Sequence, residues 1–273
     1  MFKPYMKKTF LAAAVTLCFT ALAVAQSTAS AKAAAGSKTA RDGFRNETEI
    51  RDKFNAWKSD AEAKAWLTIM GYDPASIDSV RAEKPHNDKA DVVVTIVASG
   101  KTTREGISIK LVSGEKGYNQ IDKRRLEQYK RLWGLPPPVE YALSLFLGER
   151  PPDRPSRLPD RMFLNELTEA EQAAVIEFFE KNRSRILDEI FAGSGPNRAR
   201  WMLVARKTSK GNEAGIFPIE KAIEFYGTGK IEITRSGSLR IGRITIQRKG
   251  GDAGRETARM LQFKINPALL LGK

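Results

Sequence analysis

The sequence predicts one domain of the α/β or α+β class, in which helices flank a central mixed β-sheet. Segments with helical spacing of apolar residues alternate along the chain with short runs of apolar or alternating residues. Glycine-rich turns separate several of these runs, and the chain contains no internal repeat. With 273 residues the chain is long enough for one full core, so we expect a single domain over residues 41–273.

The first half of the domain is expected to begin with helices and continue with paired strands. Apolar residues recur at helical intervals from Asn46 to Met70, which predicts one or two amphipathic helices. The apolar runs Asp91–Ala98 and Gly106–Ser113 are joined by a polar stretch, so they should pair as a hairpin. Asn119–Trp133 carries an apolar face among lysines and arginines, which predicts a basic amphipathic helix that ends at Gly134.

The second half combines proline-rich connections with further helices and strands. Residues 136–138 and 149–159 are rich in proline and should be irregular, with a short strand, Tyr141–Leu147, between them. Thr168 and Glu171 form a capping box that begins a long or broken helix, which should stop at Gly193. The remaining predicted elements are strands at Trp201–Arg206, Ile231–Thr234, Arg243–Gln247 and Leu261–Ile265, and a short helix at Ile219–Tyr226.

The charge of the chain indicates a polyanionic partner. There are 46 lysines and arginines against 32 acidic residues, a net charge of +14, in an otherwise ordinary globular composition. Such a surplus attracts nucleic acid or an anionic membrane surface, although it also fits a merely soluble basic surface.

Residues 1–25 have the pattern of an export signal. Lys3, Lys7 and Lys8 precede an uncharged run, and small residues suit cleavage after Ala25. Residues 26–40 have the composition of a disordered spacer. We therefore expect a periplasmic or secreted protein, with an uncleaved anchor or a start placed too far upstream as the alternatives. The only cysteine, Cys18, lies in the signal, so cysteine chemistry is excluded from the mature chain.

The predicted hairpin supplies groups for phosphodiester hydrolysis. This reaction needs acidic oxygens that bind a hard divalent cation and a cationic group near the attacking water. Asp91 opens the first strand, and Ser108 and Lys110 share one face of the second because side chains alternate in a strand. Paired strands would bring Asp91 near Lys110, as in nucleases of the PD-(D/E)xK type. His86 is the only histidine, so zinc sites and histidine-based triads have no basis, and a surface loop is expected for it.

Longer motifs resemble one family of restriction endonucleases. The sequence from about residue 36 to 268 resembles the HinP1I restriction endonucleases, which cut GCGC and are related to MspI. The runs that carry the resemblance are Gly36–Phe44, Ile109–Ser113, Gly117–Lys123, Thr245–Asp252, Gly254–Ala258 and Met260–Lys264. The resemblance implies a restriction-endonuclease fold and magnesium-dependent cleavage of double-stranded DNA. It also implies a cytoplasmic enzyme with a companion cytosine methyltransferase, which conflicts with the export signal.

By this resemblance Asp91 matches the metal-binding aspartate and Lys110 the catalytic lysine. Ser108 departs from the family, which has glutamine or asparagine there, so a metal could be held through water and activity could be weakened or lost. An inactive sequence-specific DNA-binding protein is therefore the alternative function. Asp88 and Glu105 are weaker alternative metal ligands. Glu47 on the first helix is a candidate second metal carboxylate, although an exposed helical charge fits it equally well.

DNA contacts are expected from two polar clusters and three further cations. Amide side chains and lysine or arginine match the hydrogen-bonding groups of base edges, whereas cations that meet phosphates set position. The clusters predicted at the bases are Asn119, Gln120 and Lys123, and Gln247, Arg248 and Lys249; the predicted phosphate contacts are Lys116, Arg124 and Arg243.

Overall fold

Ten strands form two five-stranded sheets in a computed structural model that describes residues 41–86, 88–113, 117–209, 211–251 and 255–272. The first sheet has the strand order β1-β2-β3-β5-β6, and the second has the order β4-β10-β9-β8-β7. The strands are β1 Ile77–Glu83, β2 Val92–Ala98, β3 Lys101–Val112, β4 Asn119–Arg124, β5 Trp201–Thr208, β6 Gly211–Pro218, β7 Ile231–Ile233, β8 Leu239–Ile241, β9 Ile244–Arg248 and β10 Leu261–Ile265.

Helices cover the sheets and connect their strands. They are α1 (residues 41–55), α2 Ala61–Ile69, α3 Leu126–Trp133, α4 Pro137–Leu147, α5 Glu169–Lys181, α6 Arg183–Phe191, α7 Ile219–Gly227 and α8 Ala268–Leu271. No helix within the described ranges is both long and apolar enough to cross a membrane.

The first sheet is mixed and buried on both faces. Strands β3 and β5 run parallel, and its other neighbouring pairs are antiparallel. One face packs on α1 and α2 in a core that includes Phe54, Trp66 and Ile109. The opposite face contributes to the larger core, which also contains Phe146 of α4 and Phe263 of β10. Packing on both faces therefore holds β3 in place, and β3 carries the predicted site residues Ser108 and Lys110.

The predicted fold class and most of the predicted helices and strands are confirmed. The first helical region forms α1 and α2, and the hairpin forms with a two-residue turn at Ser99 and Gly100. The broken helix after Thr168 is α5 followed by α6, with the capping box in place. The predictions missed β1, β6 and β8, and they did not foresee a second sheet.

Two predicted elements were wrong. Tyr141–Leu147 belongs to helix α4 rather than to a strand, because the continuous apolar run is buried as a helix. Residues 137–138, predicted as irregular, form the first turn of the same helix, where proline is tolerated. Asn119–Trp133 is strand β4 followed by α3, because residues 119–124 pair with β10. The helix begins only after Arg125, where a capping interaction with Gln128 defines its start.

Candidate active site

Asp91, Ser108 and Lys110 meet where β2 and β3 separate. Pairing of the two strands begins at Val92, which lies opposite Ile107, so the next part of β3 has no partner on that side. The Asp91 carboxylate fills this place: Oδ2 accepts a hydrogen bond from the Ile109 backbone N–H at 2.6 Å. A carboxylate that substitutes for a strand in this way is fixed in position by the backbone.

Ser108 and Lys110 on β3 both contact Oδ2 of Asp91. Ser108 Oγ donates to Asp91 Oδ2 at 3.3 Å, and Lys110 Nζ lies 3.6 Å from that oxygen. Lys110 also donates to the Ile109 carbonyl oxygen at 3.0 Å, so its ammonium group is oriented from two sides. Only 12% of the Lys110 side chain and 28% of the Asp91 side chain are exposed. The predicted trio is therefore brought together, with its ion pair screened only partly by solvent.

A cavity of about 480 Å³ opens in front of Asp91 and Lys110. Helix α1 contributes Glu47 to its wall, and β4 contributes Asn119. Glu47 is 18% exposed and its carboxylate pairs with Lys84 at 2.8 Å. The cavity thus joins the catalytic candidates to the proposed second carboxylate on one side and to the first residue of β4 on the other.

The two substitute carboxylates have other partners. Glu105 is buried, and it accepts hydrogen bonds from Tyr72 Oη at 2.8 Å and Trp201 Nε1 at 2.9 Å. Burial and the Glu105 bond raise the pKa of Tyr72 to about 12. Asp88 accepts from Asn197 Nδ2 at 2.8 Å on the surface. Neither carboxylate belongs to the residues that line the cavity.

Asp91 and Glu47 fit the needs of a magnesium ion. All three contacts of Asp91 given above go to Oδ2, which leaves Oδ1 as the oxygen available to a cation. Mg²⁺ retains several waters and is usually held by one or two protein carboxylates together with substrate phosphates. No cluster of three or more histidine, cysteine or acidic side chains able to hold a metal occurs in the described part of the chain. Asp91 and Glu47 are two of the four acidic residues that line the cavity, so the wall offers carboxylate oxygens to a divalent cation without such a cluster.

Ser108 is the component that fits a metal least well. Its side chain is buried, with 2% of the residue exposed, and its hydroxyl group is directed at Asp91. In this arrangement Ser108 supports the carboxylate and does not reach into the cavity wall.

The second sheet has one apolar and one polar face. Phe263, Ile246 and Leu239 lie in the large core. Side chains alternate between the two faces of a strand, so the residues next to these core residues in each strand point to the other face of the sheet. We call this opposite side the polar face; it contains Gln120, Lys123, Arg240, Thr245, Gln247, Gln262 and Lys264. Burial lowers the pKa of Lys264.

The predicted DNA-contacting residues separate into two groups. Gln120, Lys123 and Gln247 lie on the polar face, and Asn119 lies at the cavity beside it. Arg248 alternates with Gln247 and points the other way, where it forms an ion pair with Asp160 at 2.9 Å.

The remaining predicted cations lie in different surroundings. Arg124 pairs with Asp122 at 3.1 Å and with Glu189 at 2.9 Å, so the protein already occupies its guanidinium group. Arg243 is exposed and packs on Phe225 of α7, away from the residues of the cavity. Lys249 continues from β9, where its backbone N–H donates to Met260. Lys116 lies outside the described residues, as do the predicted signal and spacer.

Sequence reasoning missed a buried polar network behind the cavity. Lys89, two residues before Asp91, donates to the Ile121 carbonyl at 2.6 Å and to Asp122 at 3.2 Å. Tyr129 donates to the same carboxylate at 2.5 Å, and both burial and this carboxylate raise the pKa of Tyr129. The network ties the segment before Asp91 to β4. The sequence feature that could have indicated this network is Asp122, a carboxylate within the stretch that was predicted as a helix.

Comparisons with known proteins find one matching family and one similar fold. A model of the R.HinP1I restriction endonuclease family matches residues 70–271. Among solved structures, the fold is similar to a crystal structure of restriction endonuclease MspI in complex with its cognate DNA. The two share 13% sequence identity and a TM-score of 0.59, over 81% of this chain and 88% of that chain. No curated protein matches the chain.

Proposed function

The chain belongs to the R.HinP1I restriction endonuclease family, and on that premise we propose that it cuts double-stranded DNA at GCGC or a close GC-rich variant with Mg²⁺. The observation that supports this most directly is the pairing of Asp91 with Lys110 at the wall of a cavity. A restriction enzyme needs a cleavage centre and a base-reading surface next to each other, and β4 connects the two here.

Asp91 and Glu47 would hold the magnesium ion. When bound, the ion supplies an activated water and stabilises the charge on the phosphate. Lys110 acts from the protein side: its ammonium group, held by Ile109 and Asp91, orients the attacking water and favours the negative charge that develops. Burial of the Lys110 side chain strengthens that interaction because little solvent screens it.

The polar face is proposed to read the DNA. Gln120 and Lys123 on β4 and Gln247 on β9 present amide and ammonium groups suited to base edges in the major groove. Lys249, Lys116 and Arg243 are further proposed DNA contacts. For Arg124 and Arg248, which form ion pairs within the protein, we propose an indirect role in holding β4 and β9. The DNA seen with MspI supports a duplex as the partner.

We propose that residues 1–25 direct the protein to export. If translation instead starts further downstream, we propose a cytoplasmic enzyme that acts beside a cytosine methyltransferase. The mass of the native N-terminus separates the two: a first residue of Gln26 supports export, and one near Ala33 supports the downstream start.

A second candidate function follows from the position of Ser108. Because its hydroxyl group is buried and directed at Asp91, the cavity lacks an amide ligand at this position. A protein of this kind could bind its site without cutting it. Specific binding that needs no metal, together with the absence of cleavage, would favour this function.

Cleavage of unmethylated plasmid DNA tests the main proposal. The purified full chain should produce discrete fragments with Mg²⁺ and none with excess EDTA, and mapped fragment ends should fall in GCGC or a close GC-rich site. The variant Asp91→Ala should produce none. Random ends, or cutting that Asp91→Ala leaves unchanged, would contradict the proposal.

A further inference from the structure

We infer that Gln262 determines specificity by fixing the orientation of the Gln120 amide, so that Gln120 selects guanine over adenine. This inference rests on the proposed function, because it assigns a base preference to the polar face. Gln262 is a positioning residue in this account, and Gln120 makes the contact with DNA.

Gln262 lies at the centre of the polar face. In the register of the sheet it stands opposite Lys123 of β4 on one side and Gln247 of β9 on the other. Only 6% of Gln262 is exposed, whereas Gln120 is exposed next to Asn119 at the catalytic cavity. One glutamine is therefore held within the sheet surface, and the other is available to a duplex that occupies the cavity.

A hydrogen bond joins the two amides. Gln262 Nε2 donates to Gln120 Oε1 at 2.8 Å. An amide group has one oxygen acceptor and one nitrogen with two N–H donors, on branches that diverge. Since the oxygen of Gln120 is turned towards Gln262, its N–H donors are directed to the other side. Gln120 accordingly approaches DNA as a donor.

Base edges differ in their response to such a donor. In the major groove guanine offers two acceptors, N7 and O6, whereas adenine offers the acceptor N7 beside the N6 donor. The usual two-bond pairing of glutamine with adenine needs the amide oxygen to face N6. The bond from Gln262 uses one of the two lone pairs of Gln120 Oε1 and fixes the direction of the amide, so the oxygen is poorly placed for adenine N6 while the N–H donors face the DNA. Gln120 therefore favours guanine. A freely rotating glutamine would instead accept adenine, which a GC-rich site must exclude.

A second observation shows that Gln262 is not explained by a contribution to the stability of the fold. Gln262 Oε1 is buried and has no hydrogen-bond partner within the described part of the protein. Leaving a buried acceptor unpaired is unfavourable, and an apolar residue of similar size would avoid it. A glutamine at this position is therefore explained better by what it does to Gln120 than by the fold.

The test measures base discrimination by the full chain. The variant Gln262→Met keeps the length of the side chain and removes its amide; Gln172→Met, a partly buried glutamine on α5, is the matched control. Duplexes with GCGC are compared with duplexes in which either G·C pair is replaced by A·T, through the ratio of kcat/KM values with Mg²⁺ and the ratio of Kd values without it. The wild type should favour guanine by about tenfold or more at each position.

We expect Gln262→Met to lower the guanine preference about tenfold at one position only, with Gln172→Met unchanged. In a Gln120→Met background, Gln262→Met should have no further effect on that ratio, because its action passes through Gln120. An equal loss on all duplexes, or an unchanged ratio, would overturn the inference while leaving the nuclease proposal intact. A wild-type chain that treats all duplexes alike would overturn the proposed function and this inference with it.

Discussion

Replacing Lys89 with methionine should destabilise the protein by about 2–3 kcal/mol. The Lys89 and Asp122 side chains are 14% and 6% exposed, and breaking a buried pair costs about 3–5 kcal/mol when the remaining charge is left alone. Here the loss is smaller because Asp122 keeps its bonds with Arg124 and Tyr129. Removing the ammonium group also relieves a desolvation cost, since burial lowers the pKa of Lys89. The methionine stem fills the same space, so no cavity is added.

Urea unfolding of the full chain at 25 °C measures this difference. The matched control is Lys130→Met, which removes an ion pair with Glu140 whose side chains are 44% and 36% exposed. That change should cost clearly less than Lys89→Met, because solvent screens exposed pairs. If Lys89→Met costs no more than Lys130→Met, the network does not hold β4 to the segment before Asp91, and our account of the site's framework is wrong.

Three further predictions concern activity, pH and packing. Ser108→Gln should raise the rate of metal-dependent cleavage by about tenfold or more if the missing amide limits activity, measured by single-turnover digestion; an unchanged rate would show that Ser108 is not limiting. The hydrogen bond with Arg154 holds the pKa of Glu171 below its usual 4.5. The ionised Glu171 carboxylate therefore stabilises the protein fully above pH 4.5, and this contribution is lost as the pH falls through the lower pKa of the folded state. The Tm difference between wild type and Glu171→Gln should therefore shrink below pH 4.5, and a constant difference would refute this. Gly106→Ala should destabilise the protein by about 2 kcal/mol or more in the same urea assay, because its Cβ would meet the Arg198 carbonyl oxygen; wild-type stability would contradict the packing.

Local patterns predicted the catalytic hairpin well because its determinants are local. The alternation in residues 91–98 and 106–113 and the turn between them define both strands, and period two places Ser108 and Lys110 on one face. What the pattern could not give was the gap beside β3 beyond the Val92–Ile107 pair, where the Asp91 carboxylate takes the place of a strand. That gap depends on where pairing stops.

The second sheet was missed because its strands are short and one of them, β4, lies far from the other four in sequence. β4 was included in the predicted helix because Leu126, Tyr129, Leu132 and Trp133 follow directly at helical spacing among charged residues. Its pairing with β10, about 140 residues later, overrides that local pattern. The contact between Gln120 and Gln262 is long-range for the same reason.

The most direct test of the central claim is cleavage by Lys110→Ala beside Lys207→Ala. Both lysines line the cavity, but Lys110 is paired with Asp91 and Lys207 with Glu49. With unmethylated GCGC duplex and Mg²⁺, we predict that Lys110→Ala lowers the single-turnover rate constant of cleavage by about 10²-fold or more at saturating enzyme. Lys207→Ala should leave the rate constant within about threefold of wild type, because Lys207 pairs with Glu49 and not with Asp91. Full cleavage by Lys110→Ala would contradict the assignment of the Asp91 and Lys110 pair as the catalytic centre.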